Sequence, residues 1–312
     1  MADIASKRIV FLGTPEFAVT SLAALTEAGL NVVAVVTAPD KSAGRGMKPK
    51  SSAVKLFAAS KNIPVLQPEK LKDPEFLKAL SAFQPELQVV VAFRMLPEVV
   101  WNLPPMGTVN LHASLLPQYR GAAPINWAVI NGEKETGLTT FQLQHAIDTG
   151  DILLQEKIAI GEEETAGELH DRMMVQGGAL LMVTVKGLFA GTVQPTNQQS
   201  LSSNNHNIRH APKITRDACR IDWSKSTQEV FNFVRGLSPH YGAYTLFNDK
   251  LLKIFRSKKE IASVSLPPGL FTTDYQTYLK FACADGYLSV SELQMEGKKK
   301  MSVEEFLRGF RV

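Results

Sequence analysis

Residues 87–112 read Leu87-Gln-Val-Val-Val-Ala-Phe93-Arg-Met-Leu-Pro-Glu-Val-Val-Trp-Asn-Leu-Pro-Pro-Met-Gly107-Thr-Val-Asn-Leu-His112. The first seven residues are a β-branched, apolar run of the kind that a parallel sheet buries on both faces. The last six form a second strand, set off by prolines and Gly107. Working outward, Ile9-Val-Phe-Leu12 and Asn31-Val-Val-Ala-Val-Val36 repeat that character. Between them, apolar residues at 18, 19, 22 and 25 give helical spacing over Phe17 to Ala28, with Gly29 as the stop. Helices are expected over Ser51–Lys61 and Pro74–Phe83, and a short strand over Ile63–Leu66. This alternation predicts an α/β fold with a Rossmann-like, mostly parallel sheet.

Further along, a helix from Ile125 to Ile130, strands near 138–143 and 152–160, and a long helix from Ala166 to Ala190 complete a first domain over 1–190. Gly191 to Asn207 is rich in Gln, Ser and Asn, which suits a linker. Residues 208–312 open on a helix over Thr227–Leu237. Short segments follow at 244–247, 251–255, 278–281 and 288–290, punctuated by Asn248-Asp249, Pro267-Pro268-Gly269 and Asp285-Gly286. Strands at that spacing predict a small C-terminal β-barrel resembling an OB-fold.

Charge follows the same division. Residues 206–312 carry 17 Lys+Arg against 11 Asp+Glu, a net +6, while residues 1–205 carry 17 against 19, a net −2. A basic C-terminal third suits a polyanionic partner, although solvated lysines would give the same count. Cys219 and Cys283 are too few for a metal cluster or a disulfide framework and read as small buried residues. No metal site is expected, because His145, His170, His206, His210 and His240 lack ligand spacing. No run approaches the ~18 consecutive apolar residues of a membrane span. Strand structure begins by Arg8, without a secretory or transit leader, so a bacterial-type cytosolic location is expected. Gly13-Thr-Pro15 follows the first strand but lacks the G-x-G-x-x-G series, and Pro15 offers no N–H to a pyrophosphate. NAD(P) is therefore not expected.

Chemistry is concentrated near His112. Period two places Asn110 and His112 on one face of their strand and Val109 and Leu111 on the other. Downstream, Ala146-Ile-Asp-Thr-Gly-Asp151 offers carboxylates in a turn. An amide donor and an imidazole N–H can stabilise a tetrahedral oxyanion, and Asp148 can orient the ring and help move a proton. That combination suits acyl transfer to an amine. A satisfied strand histidine and a turn aspartate are the alternative. No serine elbow or His-paired cysteine offers a covalent route.

The run His112-Ala-Ser-Leu-Leu-Pro-Gln-Tyr-Arg-Gly-Ala-Ala-Pro-Ile125, with Asp148-Thr-Gly-Asp151, resembles the folate-dependent formyltransferases. Arg8 to Phe17, Ala43-Gly-Arg-Gly46 and Arg220-Ile-Asp-Trp223 match the same family, so the likeness spans nearly the whole chain. The resemblance implies 10-formyltetrahydrofolate as co-substrate, Asn110, His112 and Asp148 as the catalytic group, and Ser114, Leu115, Leu116 and Pro117 as the folate-binding segment. It also implies a cis Leu116–Pro117 bond and a pterin held by backbone from Phe93 through Arg94 to Leu96. Arg94 departs from the glycine common in relatives. The acceptor it implies is the α-amino group of methionyl initiator tRNA, met by Lys41, Arg45, Lys48 and Lys50 around the Ala43–Gly46 loop. The expected protein is a monomer acting on tRNA and reduced folate, away from membranes. Another amine acceptor, or formyl-folate hydrolysis, is the alternative function.

Overall fold

The computed structural model describes residues 4–43, 48–198, 200 and 208–309, with backbone alone for 41–43 and 48–49. The chain forms two compact units that interleave along the sequence. The first comprises Met1–Arg120, Gly137–Ile158 and Asp171–Arg209; the second comprises Gly121–Thr136, Ala159–His170 and His210–Val312.

The first unit is built on a seven-stranded sheet. From one edge to the other its strands are Ile152–Ala159, Glu135–Gln142, Thr108–His112, Leu87–Val91, Arg8–Gly13, Asn31–Val36 and Val65–Leu66. The five from Thr108–His112 to Val65–Leu66 run parallel, and Glu135–Gln142 is antiparallel to Thr108–His112. Continuous β-branched runs produce this because both sheet faces are covered: Leu87–Val91 is buried at every residue. Gly13 is required by close approach, since a Cβ there would lie 2.6 Å from Ala18 Cβ and 2.8 Å from Phe11 Cε1. The Gly-Thr-Pro turn thus lets helix Glu16–Glu27 close onto the sheet.

Helix Ala166–Ala190 is long and apolar enough, by length and composition, to cross a membrane. Here Gly177 lies against the sheet and Gly178 against helix Glu16–Glu27. A Cβ at Gly177 would sit 2.9 Å from Leu111 Cδ2, and Leu181, Val185 and Phe189 are buried.

In the second unit an antiparallel sheet runs Ala243–Phe247, Lys250–Ile261, Gly286–Met295, Leu279–Ala282, Phe271–Thr273, with Met301–Ser302 paired to Gly286–Met295. Two strands are much longer than their apolar patterns suggested. Register shifts between Ile254 and Ser257 bulge Lys250–Ile261 and interrupt the alternation that would mark a strand. Curled by these bulges, the sheet encloses an aromatic core: Trp223 stacks on Phe281 at 4.7 Å, and Phe247 meets Phe271 at 4.7 Å. Helix Thr227–Gly236 starts on a capping box between Ser226 and Glu229. Helix Pro124–Ile130 joins this core through Ala123, Trp127 and Ile130, and Asn126 Nδ2 donates to Gly236 O at 2.7 Å. Arg235 donates to Gly161 O and Glu164 O at 3.1 and 2.9 Å. Both cysteines are buried free thiols, and burial pushes Cys283 up to about 11.

Within the polar 191–207 stretch, Thr196 exchanges backbone hydrogen bonds with Ile152, and Gln198 is 1% exposed. Residues 199 and 201–207 lie outside the described residues.

Candidate active site

Parallel strands deliver their carboxyl ends, and the loops after them, to one edge of the sheet. Chain order reverses between Arg8–Gly13 and Leu87–Val91, so a crevice is expected outside the ends of these strands. Strand Thr108–His112 ends beside it. With Leu111 turned to the helix bearing Gly177, alternation directs Asn110 and His112 to the opposite face. Phe141 is the cross-strand partner of Asn110 and meets the His112 ring edge-on at 6.5 Å.

His112 is 7% exposed. Its Nε2 lies 2.9 Å from the carbonyl oxygen of Tyr119. A carbonyl only accepts, so this contact puts a proton on Nε2, and in the neutral ring Nδ1 then carries the lone pair. Nδ1 in turn faces Asp148 Oδ2 at 3.9 Å. The N–H expected for an oxyanion is therefore committed to Tyr119, and Nδ1 is placed to receive a proton beside a carboxylate. Tyr119 itself has φ +58°, and its N–H donates to Arg209 O at 2.7 Å.

Asp148 sits in a loop held by packing and hydrogen bonds. Its own φ is +53°, a left-handed conformation for a residue with a Cβ. Gly150 is wedged against the neighbouring strand, where a Cβ would lie 1.6 Å from Gln142 O. Gln198 Nε2 donates to Asp148 O and Gly150 O at 3.1 and 2.7 Å. Arg120 Nη2 donates to Gln198 Oε1 at 2.6 Å. Burial pushes the Arg120 guanidinium below its ordinary value, and the Asp148 charge opposes that shift.

The segment 114–117 is pinned from the next strand. Thr139 Oγ1 accepts from Leu116 N at 3.1 Å and donates to Ser114 O at 2.6 Å. Gln155 Nε2 donates to Leu116 O and to Thr139 Oγ1, both at 2.9 Å. Ser114 Oγ donates to Gln118 O at 2.6 Å, and the Leu116–Pro117 bond is cis, as the resemblance implied. Leu116 is buried with Phe141 and Ile152, while Leu115 and Pro117 flank it.

At the end of Leu87–Val91 the chain turns through Ala92 at φ +47°. Phe93 and Leu96, half-buried, pack against a core that also holds Leu143. The exposed Arg94 side chain donates to Glu69 O at 2.8 Å and to Pro68 O, with its guanidinium 5.7 Å from the Phe93 ring centre. The cation is thus engaged by the 68–69 loop. Leu143 packs both on this core and on the cluster of Leu116, Phe141 and Ile152.

Among the proposed tRNA contacts, Lys41–Ala43 pairs antiparallel with Lys48–Lys50, and Lys50 is exposed. Arg45 lies outside the described residues, and of Lys41 and Lys48 only backbone is described. No group of three His, Cys, Asp or Glu among the described residues gathers for a metal ion. Sequence reasoning missed Thr139, Gln155 and Gln198. Thr139 and Gln155 lie on strands whose register only the fold supplies, and Gln198 lies in a polar stretch without periodicity.

Comparison with known proteins finds relatives of the whole chain. Residues 7–185 match the family model described as formyl transferase, and residues 213–311 match its C-terminal domain. The chain is 51% identical over 310 residues to the methionyl-tRNA formyltransferase of Bacteroides thetaiotaomicron, covering 98% of this chain and 96% of the relative. It is 47% identical over 306 residues to that of Flavobacterium johnsoniae, covering 97% and 96%. Among solved structures, the sugar 3N-formyl transferase WlaRD, with dTDP and 5-N-formyl-THF, superposes with a TM-score of 0.67 at 20% identity. That match covers 94% of this chain and 99% of the other. HypX from Aquifex aeolicus in complex with tetrahydrofolic acid gives 0.63 at 18% identity, over 96% of this chain and 46% of the other. At those identities the two structures speak to fold.

Proposed function

The chain belongs to the formyl transferase family, and from that premise we propose that it moves the formyl group of 10-formyltetrahydrofolate to the α-amino group of methionyl initiator tRNA, for translation initiation. Identity of about half over nearly the full length to relatives named for that reaction supports the acceptor. The observation that carries the site is the pairing of His112 Nδ1 with Asp148, beside the pinned 114–117 backbone.

The reduced folate supplies an activated formyl carbon, with the Ser114–Pro117 and Phe93–Leu96 backbones as its seat. Asn110 donates its amide N–H to the oxygen on which negative charge develops. His112, with Nε2 fixed by Tyr119, takes the proton of the attacking amine on Nδ1. The Asp148 carboxylate then stabilises the imidazolium, which would return that proton to the folate N10 as the formyl C–N10 bond breaks and tetrahydrofolate leaves. Lys41, Arg45, Lys48 and Lys50 meet the acceptor end of the tRNA, and the basic C-terminal third meets its backbone. In this reading the protein is a cytosolic monomer with no membrane partner, and equilibrium sedimentation gives its mass directly.

The test is formylation of charged tRNAs by the purified protein with 10-formyltetrahydrofolate. Initiator Met-tRNA should be formylated and elongator Met-tRNA should not. Equal rates on both, or none on either, would sink the acceptor assignment.

A further inference from the structure

Gln198 lies in a stretch whose composition reads as a linker, yet it is 1% exposed and makes three side-chain hydrogen bonds. A buried primary amide is costly unless its donors and acceptor are engaged. Both donors go to backbone carbonyls on either side of Thr149, those of Asp148 and Gly150. Its oxygen accepts from Arg120, which follows directly on Tyr119, the carbonyl partner of His112. One side chain therefore ties together the two loops that bring Asp148 and His112 face to face.

The need for such a tie is visible in the backbone. Asp148 occupies a left-handed conformation that residues with a Cβ seldom hold without surrounding support. The same loop is also held at Gly150, packed on Gln142 O, by Thr149 Oγ1 donating to Ala146 O at 3.0 Å, and by Gln142 N donating to Asp151 O at 2.9 Å. Arg120 has one further feature: its Nε is buried without a hydrogen-bond partner among the described residues. Its guanidinium is thus committed to Gln198 through Nη2, and its charge lies near enough to Asp148 to be felt there.

From this geometry we infer that Gln198 is a positioning residue for the formyl transfer, holding the Asp148 carboxylate at its working distance from His112 through the 148–150 backbone. The inference rests on the functional reading above and adds to it a residue that touches neither substrate. At 3.9 Å the His112–Asp148 contact is already long, so a small drift of the loop removes it. Displacements of about 1 Å at a reacting geometry cost on the order of 10²-fold.

The experiment uses the full chain in the initiator Met-tRNA formylation assay, with wild type, Gln198→Met, Gln198→Glu, Asp148→Asn and the Gln198→Met/Asp148→Asn double variant. Gln198→Met keeps volume and loses all three bonds. Gln198→Glu keeps the bond from Arg120 and loses the two donated ones, and it is the working variant should the methionine protein not fold. The expected result is a fall in kcat of roughly 10–100-fold in each Gln198 variant, with KM for folate and tRNA within about threefold. In the Asp148→Asn background, Gln198→Met should lower kcat by less than about threefold further, because the two changes remove one effect. A merely structural glutamine would instead give a loss that multiplies with that of Asp148→Asn. Multiplicative losses, or wild-type kcat in folded Gln198→Glu, would overturn the inference. An inactive wild type would overturn the functional reading instead, so the two failures are told apart.

Discussion

Strand Leu87–Val91 in the first unit is buried along its whole length, whereas strand Lys250–Ile261 in the second buries Leu252, Ile254 and Phe255 and exposes Lys258 and Lys259. A strand covered on both faces can contribute only its end to function, so chemistry gathers where such strands stop, at His112 and after Val91. A strand with one open face can carry charge along its length. The first arrangement fixes a few atoms tightly; the second spreads cations over a surface. The two units should therefore answer to mutation differently, the first in turnover and the second in affinity and salt dependence.

The largest effects should fall on the strand-end group. Asp148→Asn keeps the loop's shape and removes the charge facing Nδ1, and kcat is expected to fall by ~10²–10⁴-fold. Asn110→Ala and His112→Ala should each cost ~10²–10³-fold in kcat while folate binding survives. Single-turnover formylation on folded variants separates these losses from weaker binding. A drop of less than tenfold for Asp148→Asn would leave it as an ordinary turn residue.

Next comes the clamp that holds the folate segment. Thr139→Val is nearly isosteric and strips partners from Leu116 N, Ser114 O and Gln155 together. Unpaired buried groups of this kind cost about 1–3 kcal/mol each. Urea unfolding should show destabilisation of that order. KM for folate should rise roughly tenfold, the equivalent of about 1.4 kcal/mol of lost seating. Unchanged KM would mean that the 114–117 backbone does not seat the folate.

These sites differ in how far the sequence revealed them. The Asn110/His112 face follows from period two on a strand flagged by its apolar neighbours, and Asp148 from a turn motif recognised by family likeness. Helices 166–190 and 227–236 were legible because their apolar spacing is regular and their ends carry stop or cap residues. The long strands 250–261 and 286–295 were shortened in the reading because bulges break their alternation. Thr139, Gln155 and Gln198 carry no pattern at all; each matters through a partner at least 16 residues away. The same blindness hid the place of helix Pro124–Ile130, whose Ala123, Trp127 and Ile130 pack in the aromatic core of the second unit. A chain cut near residue 205 would uncover that helix, so the role of the basic third is better read from single lysines in the intact protein.

Lys258 is exposed on its strand. If it meets the tRNA backbone, Lys258→Ala should leave kcat unchanged and reduce the slope of log affinity against log salt by ~0.7–0.9. Filter binding at several salt concentrations measures this. An unaltered slope would remove Lys258 from the interface.

The smallest effect expected is on stability in acid, and it belongs to the second unit. Glu168 begins helix Ala166–Ala190 in a reciprocal cap with Thr165 and receives Arg256 from the antiparallel sheet. Burial pushes its carboxyl up, but the Thr165 N–H and hydroxyl and the Arg256 guanidinium outweigh that and bring it down to about 2, from an ordinary 4.5. A group lowered on folding stabilises fully above its unfolded value, so this contribution is complete above about pH 4.5 and is lost as pH falls towards 2. The side chain is 47% exposed, which screens the pair and limits it to ~0.2–1 kcal/mol. Glutamine can still serve the cap, so Glu168→Gln isolates the charge. The variant should be slightly less stable than wild type at neutral pH, and the gap should close between pH 4.5 and 2. Urea unfolding of both proteins across that range measures the gap directly. A difference that stayed constant with pH would assign the stabilisation to the cap's geometry and not to the ion pair with Arg256.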